Sequence, residues 1–199
     1  ISSSLGNDYV NGGAGVDSYI YSKAKGDFSL KGGTGESSQR WQITTDDKTD
    51  NLVNIERLFF SDTKVALDLD GNAGFVAKII SVLFGASFVT NKKFVGEALS
   101  LLDTEEGSQN ELISTILNMQ GFSLDEHTTN DRLYQSLVAT LWDNAVSGDY
   151  TPELAKPFIE KLNEGSLSMV EIVNLAANTD YNKTAIDFTG LMTSGIEYL

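Results

Sequence analysis

Gly12-Gly13-Ala14-Gly15-Val16-Asp17-Ser18-Tyr19-Ile20 is a complete match to the nonapeptide G-G-x-G-x-D-x-U-x. Just upstream, Gly6-Asn7-Asp8-Tyr9-Val10-Asn11 fits the second half of the same pattern, and Asp8 stands nine residues before Asp17. The residue types have a common chemistry. Glycine admits positive φ and turns backbone carbonyl oxygens toward a ligand, aspartate adds a hard anionic oxygen, and the following apolar residue anchors a short strand. Backbone and carboxylate together make half of a calcium site, with Gly6, Asp8, Gly13, Gly15 and Asp17 as the candidate ligand positions.

Around this motif glycines fall at 6, 12, 13, 15, 26, 32, 33 and 35. Between and after them run short β-branched and aromatic segments, Ser18–Ser22, Asp27–Leu30, Trp41–Thr45, Ile55–Phe60 and Lys64–Leu69, which read as strands joined by turns. The block Gly32-Gly33-Thr34-Gly35-Glu36-Ser37 has Ser where the nonapeptide needs Asp and is out of register with Gly12, so it reads as a hairpin turn. From about Ala73 the period changes. Phe75, Ile79, Val82 and Leu83 share one helical stripe, and this spacing predicts helices near 73–84, 91–103, 108–119, 129–145, 151–163, 167–177 and 183–194. Thr151 and Pro152 supply an N-cap and first helical residue, whereas Pro157 removes the donor for the Glu153 carbonyl and predicts a bend or a later start. At a shift of 58 residues the helical part aligns with itself, pairing Leu83 with Leu141 and Gly107-Ser108 with Gly165-Ser166, either as a true duplication or as two similar amphipathic sets.

Composition narrows the function. In 199 residues, 14 Lys and Arg face 28 Asp and Glu, a net charge of −14 that argues against a nucleic-acid binder. Cysteine is absent, which removes thiolate zinc sites and cysteine nucleophiles. The single histidine, His127, leaves little room for a catalytic triad or a multi-histidine metal site, and no nucleophile elbow, P-loop or His-Glu-x-x-His occurs. Glu105-Glu106 reads as a solvated acidic turn, and Trp142, which continues the Leu133, Leu137, Leu141 stripe, reads as core. No run approaches the roughly 18 apolar residues of a membrane span, and the N-terminus lacks signal-peptide order. The opening residue Ile1, inside a repeat, predicts a piece of a longer polypeptide.

Asp68-Leu69-Asp70-Gly71-Asn72 is a second acidic cluster, and Asp68 and Asp70 are secondary metal candidates. An EF-hand alignment fails, because Gly71 at the sixth position puts Ala66 at the first and Ala77 at the twelfth. A strand exit with carboxylates at a helix N-terminus is the better reading.

The nonapeptides resemble those of the RTX family, the hemolysin-type, glycine-rich calcium-binding repeats of bacterial proteins exported by type I secretion. Successive repeats of that family alternate between the edges of a parallel β-roll, with ions between stacked turns, so the resemblance implies Ca2+ as cofactor and further repeats upstream of Ile1 as partners. Val53-Asn54-Ile55-Glu56-Arg57-Leu58-Phe59-Phe60-Ser61-Asp62, followed by Val65 to Gly74, resembles the junction between such repeats and a DUF4214-type helical module, a likeness covering about residues 50–199 that Leu133-Tyr134-Gln135 also fits.

The expected fold is therefore α+β: a short N-terminal β-roll or β-hairpin region over residues 1–70, then an all-α helical domain over 71–199. The expected function is a non-enzymatic, calcium-dependent C-terminal module of a secreted or surface-attached bacterial protein. Calcium would stabilise the fold outside the cell, and the resemblance implies an export signal near Ile186–Leu199. The alternative is a cell-surface module that binds a glycan or a partner protein through its helices.

Overall fold

A computed structural model describes residues 1–32, 40–104, 106–122, 130–146 and 148–199. Of the expected turn at 32–37 only Gly32 is described, and Glu105 and His127 lie outside the described residues.

Among the described residues there are eight strands: β1 (Tyr9–Asn11), β2 (Ser18–Ile20), β3 (Ser29–Gly32), β4 (Arg40–Thr44), β5 (Thr49–Val53), β6 (Arg57–Phe59), β7 (Lys64–Ala66) and β8 (Ile196–Tyr198). They form two four-stranded sheets, ordered β1-β5-β4-β3 and β2-β6-β7-β8. Period-two patterning explains the strands. In β4 Trp41 and Ile43 are buried while Arg40 and Gln42 are exposed, and in β5 Asp50 and Leu52 turn inward. Tyr19, Tyr21, Trp41, Ile43, Leu52, Ile55, Leu58, Phe60, Val65 and Leu67, from both sheets, make one hydrophobic cluster.

The expected β-roll is overturned. Among the described strands, β1 with β5 and β2 with β6 pair in parallel, whereas β3 with β4, β4 with β5, β6 with β7 and β7 with β8 are antiparallel. A roll needs every strand to be continued by a parallel neighbour one coil later. Here the chain beyond β2 doubles back through β3 and β4, and a tight turn closed by Thr45 N–H donating to the Lys48 carbonyl at 2.9 Å returns it into β5. The expectation that everything after residue 70 is helical also fails, because β8 completes the second sheet.

The helices are α1 (Asn72–Phe84), α2 (Lys92–Leu102), α3 (Gln109–Met119), α4 (Asn130–Ala145), α5 (Pro152–Asn163), α6 (Met169–Ala177), α7 (Asp180–Ala185) and α8 (Phe188–Ser194). Their starts follow from side-chain caps: Asn91, Ser108, Thr151 and Ser168 each accept a backbone N–H of the first turn, and Ser168 with Glu171 forms a capping box. Ser168 rather than Ser166 caps α6, so the Gly-Ser match at a shift of 58 does not align equivalent caps. Pro157 sits inside α5, which continues through it. The expected helix at 183–194 is two helices, broken where Asp187 takes a left-handed φ of 48° and caps α8.

The chain divides into two compact units interleaved in sequence, one of residues 1–75, 90–103 and 187–199, the other of 76–89 and 104–186. In the first, α2 and β8 pack together and α8 lies on β3. In the second, Leu137, Val138, Leu141 and Ala145 of α4 are buried, and Asn182, Asn144 and Gln120 donate to the carbonyls of Lys78, Val82 and Leu83 of α1. No helix among the described residues is long and apolar enough to cross a membrane.

Candidate metal centre

The nonapeptide forms the turn between β1 and β2, and a second turn, Asn54–Glu56, joins β5 to β6 one layer away. Both flanking strand pairs are parallel, so the two turns stack in register. Gly12 N–H donates to the Val53 carbonyl at 3.0 Å, and the Asp17 carbonyl accepts from Glu56 N–H at 3.1 Å and Arg57 N–H at 3.0 Å. Gly12 has no space for a side chain, since a Cβ would lie 2.1 Å from the Asn54 carbonyl oxygen. Gly13 and Gly15, with φ of 97° and 106°, take the left-handed conformations that glycine admits freely.

Asp17 lies half-buried one register step before Ser18, whose partner is Arg57, so its counterpart in the stacked layer is Glu56. Glu56 Oε2 accepts the Asp17 backbone N–H at 2.8 Å. Asp17 Oδ2 is itself sealed from solvent and accepts no hydrogen bond. Burial raises the Glu56 carboxyl above its ordinary pKa, against the bond from Asp17, and the charges of Asp68 and Asp17 add to the rise. The Glu56 carboxylate thus holds the Asp17 backbone, and one oxygen of the Asp17 carboxylate is buried without a donor.

Gly6 and Asp8 belong to the other end of β1. Gly6 has φ of 93°, and the Asp8 carboxylate accepts from Ser4 Oγ at 2.7 Å, Ser4 N–H at 3.1 Å and Tyr19 Oη at 2.9 Å. The bonds from Ser4 and then from Tyr19 hold Asp8 below the usual carboxylate range. The five candidates therefore fall into two groups, Gly6 with Asp8 and Gly13 with Gly15 and Asp17.

Asp68 and Asp70 join neither group. Asp68 Oδ1 is taken by Arg57, and Asp68 Oδ2 accepts the Ala73 N–H at 3.4 Å at the start of α1, the strand-exit role. Asp70 is exposed in the turn before that helix. Among the described residues no three Asp, Glu or His side chains gather as a ready-made metal cluster, so a cation at Asp17 would draw on Glu56 and on carbonyl oxygens of the glycine turn.

Sequence reasoning missed Glu56, Lys48 and Asp50. Glu56 was visible only through the pairing register of segments some forty residues apart. No family model, curated protein or solved structure matches the chain.

Proposed function

We propose that this chain is a non-enzymatic calcium-binding module of a secreted or surface-attached bacterial protein of the RTX type, with calcium completing its fold after type I secretion. The observation that carries the reading is Asp17 Oδ2, a sealed anionic oxygen without a donor, in a residue whose backbone N–H is bound by the Glu56 carboxylate. A buried carboxylate oxygen in that condition costs free energy that a hard cation relieves. Asp17 and Glu56 would hold the ion together with carbonyl oxygens of the Gly12–Gly15 turn. The ion would supply positive charge to a chain carrying −14. The isolated parallel bridge between Ser2 and Ile20 adds support, because those residues are two nonapeptides apart. Calcium is scarce inside a cell and abundant outside, so binding free energy becomes folding free energy only after export.

The test is a calorimetric calcium titration with thermal melts in calcium and in chelator, on the full chain and on Asp17→Asn. Saturable binding and a higher melting temperature in calcium, both lost in the variant, are expected. An absence of heat and of any shift in the unmodified chain would refute the reading.

A second reading, a surface module that binds a glycan or protein, is favoured by one observation in the helical unit. A groove of about 700 Å³ between α4 and α5 is lined by Asp131, Gln135, Tyr150, Lys156, Glu160 and Asn163. Binding to a glycan array that survives chelation would select it.

A further inference from the structure

The other glycine–aspartate turn already contains a cation. Lys48 Nζ lies 2.9 Å from Asp50 Oδ2, donates to the Ser4 carbonyl at 3.1 Å and stands 4.0 Å from Asp8 Oδ2. Asp50 is 0 % exposed, on the inward face of β5 beside Leu52, and its remaining bonds come from Asp8 N–H at 3.0 Å and Tyr21 Oη at 3.0 Å. A carboxylate buried to that degree persists in its charged form only when it is paired and fully hydrogen-bonded. The partner is held in place from several sides. The tight turn fixes the Lys48 backbone through Thr45, and the Lys48 ammonium lies 5.7 Å from the centre of the Tyr21 ring.

We infer that Lys48 is a built-in cation for the Asp8 turn, so that this turn is ordered without calcium and the calcium response of the chain is left to the Asp17 turn. The inference rests on the calcium reading above and adds which of the two turns responds. One carbonyl and two carboxylates are oxygen donors of the type calcium selects, at Ca–O distances of about 2.3–2.6 Å. An ammonium 2.9 Å from Asp50 Oδ2 fills the space such an ion would need. The two turns thus differ at their carboxylates. At Asp8 each carboxylate oxygen accepts a hydrogen bond and the Lys48 ammonium stands 4.0 Å from one of them, whereas Asp17 Oδ2 accepts no hydrogen bond.

The experiment titrates terbium, as a luminescent calcium probe, and calcium itself into the full chain, Lys48→Met, Asp8→Asn and Asp17→Asn. Lys48→Met keeps much of the alkyl length and removes the charge. It is expected to take up one more ion per chain than the unmodified protein, with terbium emission sensitised by Tyr19 and Tyr21, whose hydroxyls bond Asp8 and Asp50. Asp8→Asn in the presence of Lys48 is expected to leave the ion count unchanged. A Lys48→Met chain that unfolds in chelator and refolds in calcium supports the inference equally. Loss of an ion in Asp8→Asn would overturn it, as would a Lys48→Met chain that folds without gaining an ion or stays unfolded in calcium. If the unmodified chain binds no ion, the calcium reading of Asp17 fails, while a gain in Lys48→Met still identifies the cation that Lys48 replaces.

Discussion

Replacing Arg57 by methionine should be among the most damaging single changes in the strand-rich unit. Its side chain is 2 % exposed; Nε donates to Asp103 Oδ2 at 2.7 Å, one terminal nitrogen donates to Asp103 Oδ1 at 2.6 Å, and the other serves both Asp68 and the Glu56 carbonyl. The guanidinium thereby joins β6 to the loop before α1 and to the C-terminal cap of α2. Removing one partner of a buried charge pair costs about 3–5 kcal/mol, because the remaining charges stay desolvated without compensation. For a chain of this size that converts to a drop of roughly 6–20 °C in the melting temperature. The assay is urea unfolding followed by fluorescence of Trp41, which is buried in the same unit, in a Trp142→Phe background that removes the other tryptophan. A double-mutant cycle with Asp68→Asn should recover part of the loss, since burial already raises the Asp68 carboxyl despite the Arg57 charge beside it. A cost below about 1 kcal/mol, in the range of an exposed ion pair, would refute the claim that this network is desolvated.

Further outcomes follow from particular contacts. Gly96→Ala would place a Cβ 2.2 Å from the Leu199 carbonyl oxygen, so the α2 contact with β8 should loosen, read as faster hydrogen exchange at the amides of β8. Leu137→Ala removes a fully buried side chain from α4 and should cost about 2–5 kcal/mol, measured by Trp142 fluorescence in a Trp41→Phe background. Glu56, whose carboxyl is raised from 4.5 chiefly by burial, binds its proton more tightly folded than unfolded. Its contribution to stability is therefore present at low pH and is lost as pH rises through its folded pKa. In chelator, Glu56→Gln should then melt higher than the unmodified chain at neutral pH, and a lower melting temperature there would contradict the assignment. Calcium, by contrast, should bind the unmodified chain more tightly as pH rises through the same titration, because the ion must displace that proton.

The helices were legible because their signals are local. Apolar residues at three- and four-residue spacing and caps such as Ser108 and Thr151 lie within the segment they shape, and α3 and α5 begin where those caps stand. The sheets were less legible, because pairing is a long-range property. Nothing near Ile196–Tyr198 announces that three residues after a helix complete a sheet begun at β2, since the partner Lys64–Ala66 is remote in sequence. The roll is what the resemblance of the nonapeptides to RTX repeats implies, and β1 with β5 and β2 with β6 do pair in parallel. It fails because β3 and β4, which lie between β2 and β5 in sequence, pair antiparallel.

The candidate site shows the same division between local and remote. A nonapeptide specifies a backbone turn and supplies one carboxylate, and both are found as the residue types demand, with Gly13 and Gly15 left-handed and Gly12 pressed on Asn54. Whether that carboxylate needs an ion depends on what the stacked layer presents to it. Asp8 and Asp17 are equivalent in the repeat, and each layer presents a carboxylate that accepts the aspartate's own N–H, Asp50 opposite Asp8 and Glu56 opposite Asp17, yet the layer beside Asp8 also brings Lys48. The same motif thus has an ammonium beside its two carboxylates in one turn, and in the other an Asp17 oxygen that accepts no hydrogen bond. Under the proposed calcium reading, affinity would be a property of pairs of turns, because the two nonapeptides alone carry the same ligand types.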